Sequence, residues 1–156
     1  MPAAEEHVRT APAISYVHGA SPTPLLGLTV GQLFDRCAAG HSNREALVVV
    51  EQGVRLTWAE LGRVVDRLAA GLLALGLEPG DRIGMLGPNI AEWVVAQFAT
   101  AKAGLILVNV NPAYRAPELA FALAQVGASA LITVPTFKTS DYLAMLAEIA
   151  PRFAPK

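Results

Sequence analysis

Two hydrophobic periods run along the chain, and the switch between them marks out its elements. In residues 57–76, Leu61, Val64, Val65, Leu68 and Leu72 fall on one stripe while Glu60, Arg63, Asp66 and Arg67 take the other side. That spacing predicts a helix lying on one face of a sheet. Thr57 followed by Glu60 reads as its capping box, and Gly76 as its end. Upstream, Thr29 with Gln32 opens a shorter helix that stops near Gly40 and is expected to bury Val30, Leu33 and Phe34. Between the two, residues 46–51 and 54–56 are β-rich runs joined by Gln52-Gly53, which reads as a tight turn of a hairpin.

Residues 80–115, GDRIGMLGPNIAEWVVAQFATAKAGLILVNVNPAYR, hold the densest pattern. Residues 82–86 predict a short strand that runs into Gly87-Pro88. Asn89 with Glu92 predicts a second capping box, and the helix continues to about Ala103 before Gly104. Ile90, Trp93, Val94, Val95, Phe98, Ala99 and Ala101 leave that helix apolar nearly all round, so it is expected to be buried from more than one side, with Trp93 in the core. Residues 105–110 form a continuous apolar run, the pattern of a strand covered on both faces. Strand, helix, strand with short joints is a βαβ unit, whose crossover is expected to be right-handed. After Arg115, Pro117 suits the first turn of a helix that ends before Gly127. Residues 130–134 predict another buried strand, and a last helix starts near Thr139 or Ser140 and runs to Ala150. The alternation predicts an α/β layered fold with a largely parallel sheet flanked by helices.

Composition changes this picture in one respect. Of 156 residues, 53% are apolar and only 16% charged, against about 25% charged in an ordinary soluble domain. A single small domain has a large surface for its volume and should be more polar than average. The excess apolar surface points to a piece that packs against further structure. Lys and Arg number 12 against 13 Asp and Glu, which suggests no nucleic-acid or anionic-membrane partner. The most apolar helix is interrupted by Glu92, Gln97 and Lys102, so no transmembrane segment is expected. The first twelve residues contain Glu5 and Glu6 without an apolar run, so no signal peptide is read there. Cys37 is the only cysteine; it fits a reducing cytoplasm and reads as a small half-buried helix residue rather than a nucleophile.

Candidate chemistry is sparse. Gly84-Met85-Leu86-Gly87-Pro88-Asn89 sits at a strand-to-helix turn, where phosphate-binding loops occur. It has two glycines three apart and a proline where a backbone N–H would be wanted, so it reads as a turn with an Asn cap. His7, His18 and His41 stand far apart, no pair having metal-ligand spacing, so no metal site is expected. No serine has a G-x-S-x-G setting, and Ser140 reads as a cap. The polar cluster in VNVNPAYR (108–115) follows the carboxyl end of a buried strand, where open α/β sheets place ligands. Asn111, Tyr114 and Arg115 are the candidate substrate-binding residues, with loop architecture and packing against further structure as the ordinary alternative.

The stretch 80–115, together with ALVVVEQGVRLTWAEL upstream and FKTSDYLAMLAEIAP downstream, closely resembles the N-terminal part of AMP-forming acyl-CoA synthetases of the medium-chain and fatty-acid type. The resemblance covers roughly residues 15–151 and lies in the order and spacing of the segments. It implies that residues 25–156 are a partial N-terminal subdomain of an adenylate-forming enzyme, with residues 1–24 as an extended arm. The implied parent activity joins a fatty acid to CoA through an acyl-adenylate, with ATP, Mg²⁺ and CoA. In such enzymes a Ser/Thr/Gly-rich loop ending in Pro-Lys holds the ATP phosphates, and a mobile C-terminal domain brings a catalytic Lys. No position here matches these, so no catalytic residue is carried over, no cofactor is expected to bind this chain alone, and its expected role is scaffold. Implied partners are the remainder of the ligase and a second copy in a homodimer. A free-standing nucleotide-binding module and a dimerisation module of α/β type stay open as rivals; titration with FMN, NAD or ATP tests the first, and sedimentation at several concentrations the second.

Overall fold

The computed structural model describes Gly19 and residues 22–152. Most of the arm expected over residues 1–24, with His7 and His18, lies outside the described residues. The centre is a parallel sheet of three strands in the order β4 (Ile106–Val110), β3 (Arg82–Leu86), β5 (Ala128–Thr133). Ile83 of β3 faces Leu107 on one side and Ala130 on the other, and Leu86 faces Val110 and Thr133. An antiparallel hairpin of β1 (Glu45–Val49) and β2 (Val54–Thr57) lies outside that sheet, as does a two-residue pair β6 (Thr136–Phe137) and β7 (Ser140–Asp141). The α/β layered architecture is thus present, with antiparallel pairing confined to the two hairpins.

Helices cover both faces. On one lie α2 (Trp58–Ala74) and α3 (Ala91–Ala103), with α1 (Val30–Gly40) packed against both. Here Leu61, Val65, Leu72, Ile83, Val95 and Ala99 form a closed aliphatic core. The other face carries α4 (Ala116–Val126) and α5 (Tyr142–Ile149), whose core holds Leu86, Val110, Leu119, Leu123 and Tyr142. Gly84 makes this layer close: a Cβ there would stand 2.7 Å from Leu131 Cδ1 and 3.1 Å from Leu123 Cδ2. The capping boxes of Thr29 with Gln32 and of Thr57 with Glu60 are both formed.

Several sequence expectations are corrected. In α1 only Gly31 and Phe34 are buried, whereas Val30 and Leu33 are exposed. The helix meets α3 through Gly31, where the chain passes Lys102 so closely that a Cβ would lie 3.1 Å from its Cα. The last helix does not start at Thr139 or Ser140; Asp141 is its N-cap, accepting from the Ala144 N–H at 2.9 Å. β5 begins two residues early through a β-bulge, since Arg82 faces Ala128 and Ile83 faces Ala130. The extra residue, Ser129, donates to Asp81 Oδ1 at 2.9 Å.

Candidate functional site

The carboxyl ends of β3 and β4 finish side by side, and the loops that leave them open a cleft of about 640 Å³. Its walls include Pro88, Asn89, Trp93, Asn109, Asn111 and Lys138. Trp93 is only half-buried, which corrects its expected place in the core. Its indole Nε1–H donates to the carbonyl of Gly87 at 3.3 Å, which fixes the ring beside the cleft.

The start of α3 also departs from expectation. Asn89 is not its cap: Ile90 holds the N-cap position and offers no side-chain acceptor. Gln52, from the single 3-10 turn of the β1–β2 hairpin, supplies it instead. Its Oε1 accepts from the Ala91 N–H at 2.7 Å and its Nε2 donates to Glu92 Oε2 at 3.0 Å. An orphan helical N–H is thus satisfied from 39 residues away. The only sequence signal for this was a Gln at a turn, and nothing local links it to α3.

The loop after β4 is tied down at every residue. Asn111 Oδ1 accepts from the Ala113 N–H at 2.9 Å, and Asn111 O accepts from the Tyr114 N–H at 3.1 Å. The hydroxyl of Tyr142 donates to Pro112 O at 2.7 Å. Burial raises the Tyr142 phenol above its ordinary value, with the Arg115 charge opposing, so it remains a donor. The Arg115 guanidinium donates through one nitrogen to Ser140 Oγ at 3.0 Å and through the other to Thr139 Oγ1 at 3.2 Å, while Glu118 Oε2 accepts from the Arg115 N–H at 3.1 Å. Ser140 is buried as a partner of Arg115 rather than a helix cap.

The three residues singled out in sequence are therefore not brought into one cavity. Asn111 lines the carboxyl-end cleft, Tyr114 an outer cleft of about 590 Å³ between β4 and α4, and Arg115 a small hollow of about 220 Å³ at the β6–β7 hairpin. Sequence reasoning missed two residues at the first cleft, Phe137 and Lys138. Lys138 sits at the hairpin tip with φ +52°, the left-handed region, and its Nζ lies 5.3 Å from the centre of the Phe137 ring.

A sequence model of the AMP-binding enzyme family matches residues 34–155. The chain belongs to that family. It is 49% identical over 150 residues to the medium-chain acyl-CoA ligase ACSF2, mitochondrial, of Danio rerio, a match that takes in 93% of this chain and 25% of that one. The human ACSF2 ligase is 50% identical over 138 residues, 88% of this chain and 22% of that one. Among solved structures, the N-terminal domain of FACL13 from Mycobacterium tuberculosis superposes with a TM-score of 0.67 at 28% identity, covering 80% of this chain and 29% of the other. The chain spans about a quarter of the length of the curated relatives it matches.

For an AMP-binding enzyme, the described residues leave a metal unprovided for. No carboxylate lines the carboxyl-end cleft, and no group of three or more His, Cys, Asp or Glu gathers among the described residues. Mg²⁺ prefers carboxylate oxygens, and the side chains lining this cleft do not fit it. Among the described residues no helix is long and apolar enough to cross a membrane.

Proposed function

We propose that this chain serves as the N-terminal part of the adenylation domain of a fatty-acid–CoA ligase, a scaffold that walls one side of the acyl and nucleotide cleft. The observation that carries the reading is the family match over residues 34–155 together with relatives four times as long that are named medium-chain acyl-CoA ligases. In that reading ATP, Mg²⁺, CoA and a fatty acid act in the full-length enzyme. The carboxylate attacks the α-phosphate and releases pyrophosphate, and the CoA thiol then displaces AMP. The donors that would stabilise the developing phosphate charge come from elsewhere in the parent. Residues 1–24 are its arm and 25–156 a subdomain completed by the rest of the ligase.

Exposed apolar side chains support such neighbours. Leu75, Phe121, Ile106 and Leu143 face solvent on different elements, and in this reading the rest of the ligase covers part of that surface. The remainder of the ligase, and a second copy in a homodimer, are the partners in this proposal. Asn111 on the carboxyl-end cleft is the candidate best placed for substrate, with Tyr114 and Arg115 at the neighbouring cavities. A cytoplasmic setting rests on the lone Cys37; the vertebrate relatives carry "mitochondrial" in their names, and imaging a tagged full-length protein decides between the two.

The test is pyrophosphate release from ATP and Mg²⁺ with a medium-chain fatty acid. The 156-residue chain alone is expected to give none, and release above background would overturn the scaffold role. A chimera of the Danio rerio ligase in which this chain replaces its matching segment is expected to be active. A folded but inactive chimera would overturn the ligase assignment.

A further inference from the structure

We propose that the free edge of β4, with the exposed side of α4 beside it, is where a second copy of this chain pairs, β4 against β4 in antiparallel register. Two three-stranded sheets then join into one. Within its sheet β4 is paired on one side only, to β3. The Ile106 N–H donates to the carbonyl of Asp81 at 2.8 Å, so the backbone groups of Ile106, Val108 and Val110 turn toward β3. Those of Leu107 and Asn109 therefore point outward, away from the sheet. Natural sheets blunt a free edge with a proline, a charge, a bulge or extreme shortness. β4 runs from Ile106 to Val110 without proline, charge or register shift. The other edges are defended. β5 opens with the bulge at Ser129, the β1–β2 hairpin carries Glu45 paired with Arg55, and β6 and β7 have two residues each. The groove beside β4 is also apolar. Val108, Phe121, Ala122 and Val126 line it; Phe121 is 70% exposed, and Ile106 on the strand itself 49%. Apolar surface held in water gains from being covered.

The occupant is a second copy because the edge complements itself. A twofold axis through Val108 sets Leu107 opposite the second copy's Asn109, and Asn109 opposite the second copy's Leu107. Every outward backbone group of β4 is then bonded. Val108 meets its own counterpart, with a Phe121 ring on either side. The charged side chain in the groove is Glu118, at the start of α4, where its Oε2 accepts from the Arg115 N–H. Antiparallel pairing sets the two Glu118 side chains at opposite ends of the seam, so no like charges meet there. Such an isologous contact closes on itself and adds no further copies at this edge. One five-residue strand and one side of a helix make a small interface, so a micromolar dimer is expected rather than a tight one. This names the face of the homodimer proposed above and rests on that part of the reading; pyrophosphate release by the chimera tests the ligase assignment separately.

Sedimentation equilibrium of the 156-residue chain is expected to show monomer and dimer exchanging in the micromolar range. Phe121→Lys, at a position too exposed to disturb folding, should weaken the dimer about a hundredfold, since two rings leave the seam at once. Leu75→Lys, 78% exposed at the end of α2, should leave it unchanged. The register is read by crosslinking in a Cys37→Ser background, which removes the chain's one cysteine. With Val108→Cys the two thiols face each other across a non-hydrogen-bonded pair, ~4.5 Å between Cα atoms and within disulfide reach. Oxidation is expected to give a covalent dimer. With Ile106→Cys the thiols lie about 13 Å apart along the strands and should not join. A chain that stays monomeric throughout the micromolar range would overturn the proposal and leave this edge to the rest of the ligase. A dimer that Phe121→Lys leaves intact, or that Leu75→Lys weakens equally, would overturn the surface. Equal crosslinking of the two cysteine variants would overturn the register.

Discussion

The two faces of the sheet are held by different kinds of interaction. On the α2–α3 face, α2 is ordered by neighbours in sequence, with Thr57 and Glu60 closing their own capping box and Leu61, Val65 and Leu72 on one stripe over Ile83, while only the start of α3 is capped from afar, by Gln52. The main polar link there is Lys102, which reaches Asp35 of α1 and Asp66 of α2 from α3. On the α4–α5 face the helices are apolar as well, but the loop that feeds α4 is pinned by side chains from far along the chain. Tyr142 reaches Pro112 across 30 residues and Arg115 reaches Ser140 across 25. The first face is the packed support of the fold. The second fixes the backbone at the carboxyl ends, where α/β sheets place their chemistry.

The comparison breaks first on bulk. Leu61→Ala and Leu119→Ala each remove a side chain that is at most 1% exposed, and each is expected to cost about 2–5 kcal/mol in urea unfolding. If hydrogen bonds rather than packing held the second face, Leu119→Ala would cost far less than Leu61→Ala. Gly84→Ala tests how tightly the second face closes. The new methyl would collide with Leu131 and Leu123, and overpacking of this kind costs about 1–3 kcal/mol. An unfolding midpoint equal to the parent would show that those leucines move aside freely.

Trp93→Ala is expected to cost roughly half of the ~3–5 kcal/mol of a fully buried Trp, because one side of its ring faces the carboxyl-end cleft. A full-sized loss would place it in the core after all. Two hydrogen-bond variants then sharpen the contrast. Tyr142→Phe leaves the ring in the core and removes only the donor to Pro112; about 1 kcal/mol is expected, with faster amide exchange at Ala113 and Tyr114. Gln52→Ala removes the remote cap of α3 and should cost about 1 kcal/mol, with exchange quickened at Ala91. Unchanged exchange in either variant would show that the loop or the helix start is held by packing alone.

These differences also mark how far the sequence could be read. Elements whose cause is local were legible: the boxes at Thr29 and Thr57, the α2 stripe, the glycine ends at Gly104 and Gly127 with their positive φ. Periodicity likewise identified α3 as covered on several sides, because an evenly apolar helix has nowhere to present a wet face. What failed was non-local. Asn89 looked like a cap because it precedes the helix, but Gln52 reached the same N–H from another element. Val30 and Leu33 looked buried because they are apolar, but the contact runs through Gly31, where absence of a side chain decides. At the candidate site, the position of the loop after β4 was legible from strand order. The residues that meet it there were not: Ser140 and Lys138 arrive on a two-residue hairpin with no periodic signal of its own, and Tyr142 on the first residue of α5 directly after it.

The smallest effect expected is in pH dependence, and it joins the two faces at the opposite end of the sheet. Asp81 precedes β3 and accepts from the Glu78 N–H at 2.8 Å and from Ser129, the bulge residue of β5. The backbone bond first and the Ser129 bond second hold its carboxyl below the ordinary 3.8. The Glu60 carboxyl is likewise held below 4.5, by the Thr57 backbone bond first. A carboxyl depressed in the folded state binds its proton more weakly than in the unfolded chain. Its contribution is therefore present above the ordinary value and is lost as pH falls through the folded one. Lys102 runs the other way: burial alone would lower it, but Asp35 and Asp66 outweigh that and hold it above 10.5, so its contribution is present below that value and lost as pH rises through the folded one. Unfolding midpoints should therefore fall at both extremes. Ser129→Ala removes one of the two bonds to Asp81, so its acid arm should be shallower than the parent's while the alkaline arm is unchanged. Asp35→Asn should flatten the alkaline arm, because Lys102 loses one of the two carboxylates that raise it. Superimposable acid arms for Ser129→Ala and parent would show that the bulge contributes nothing to the titration of Asp81.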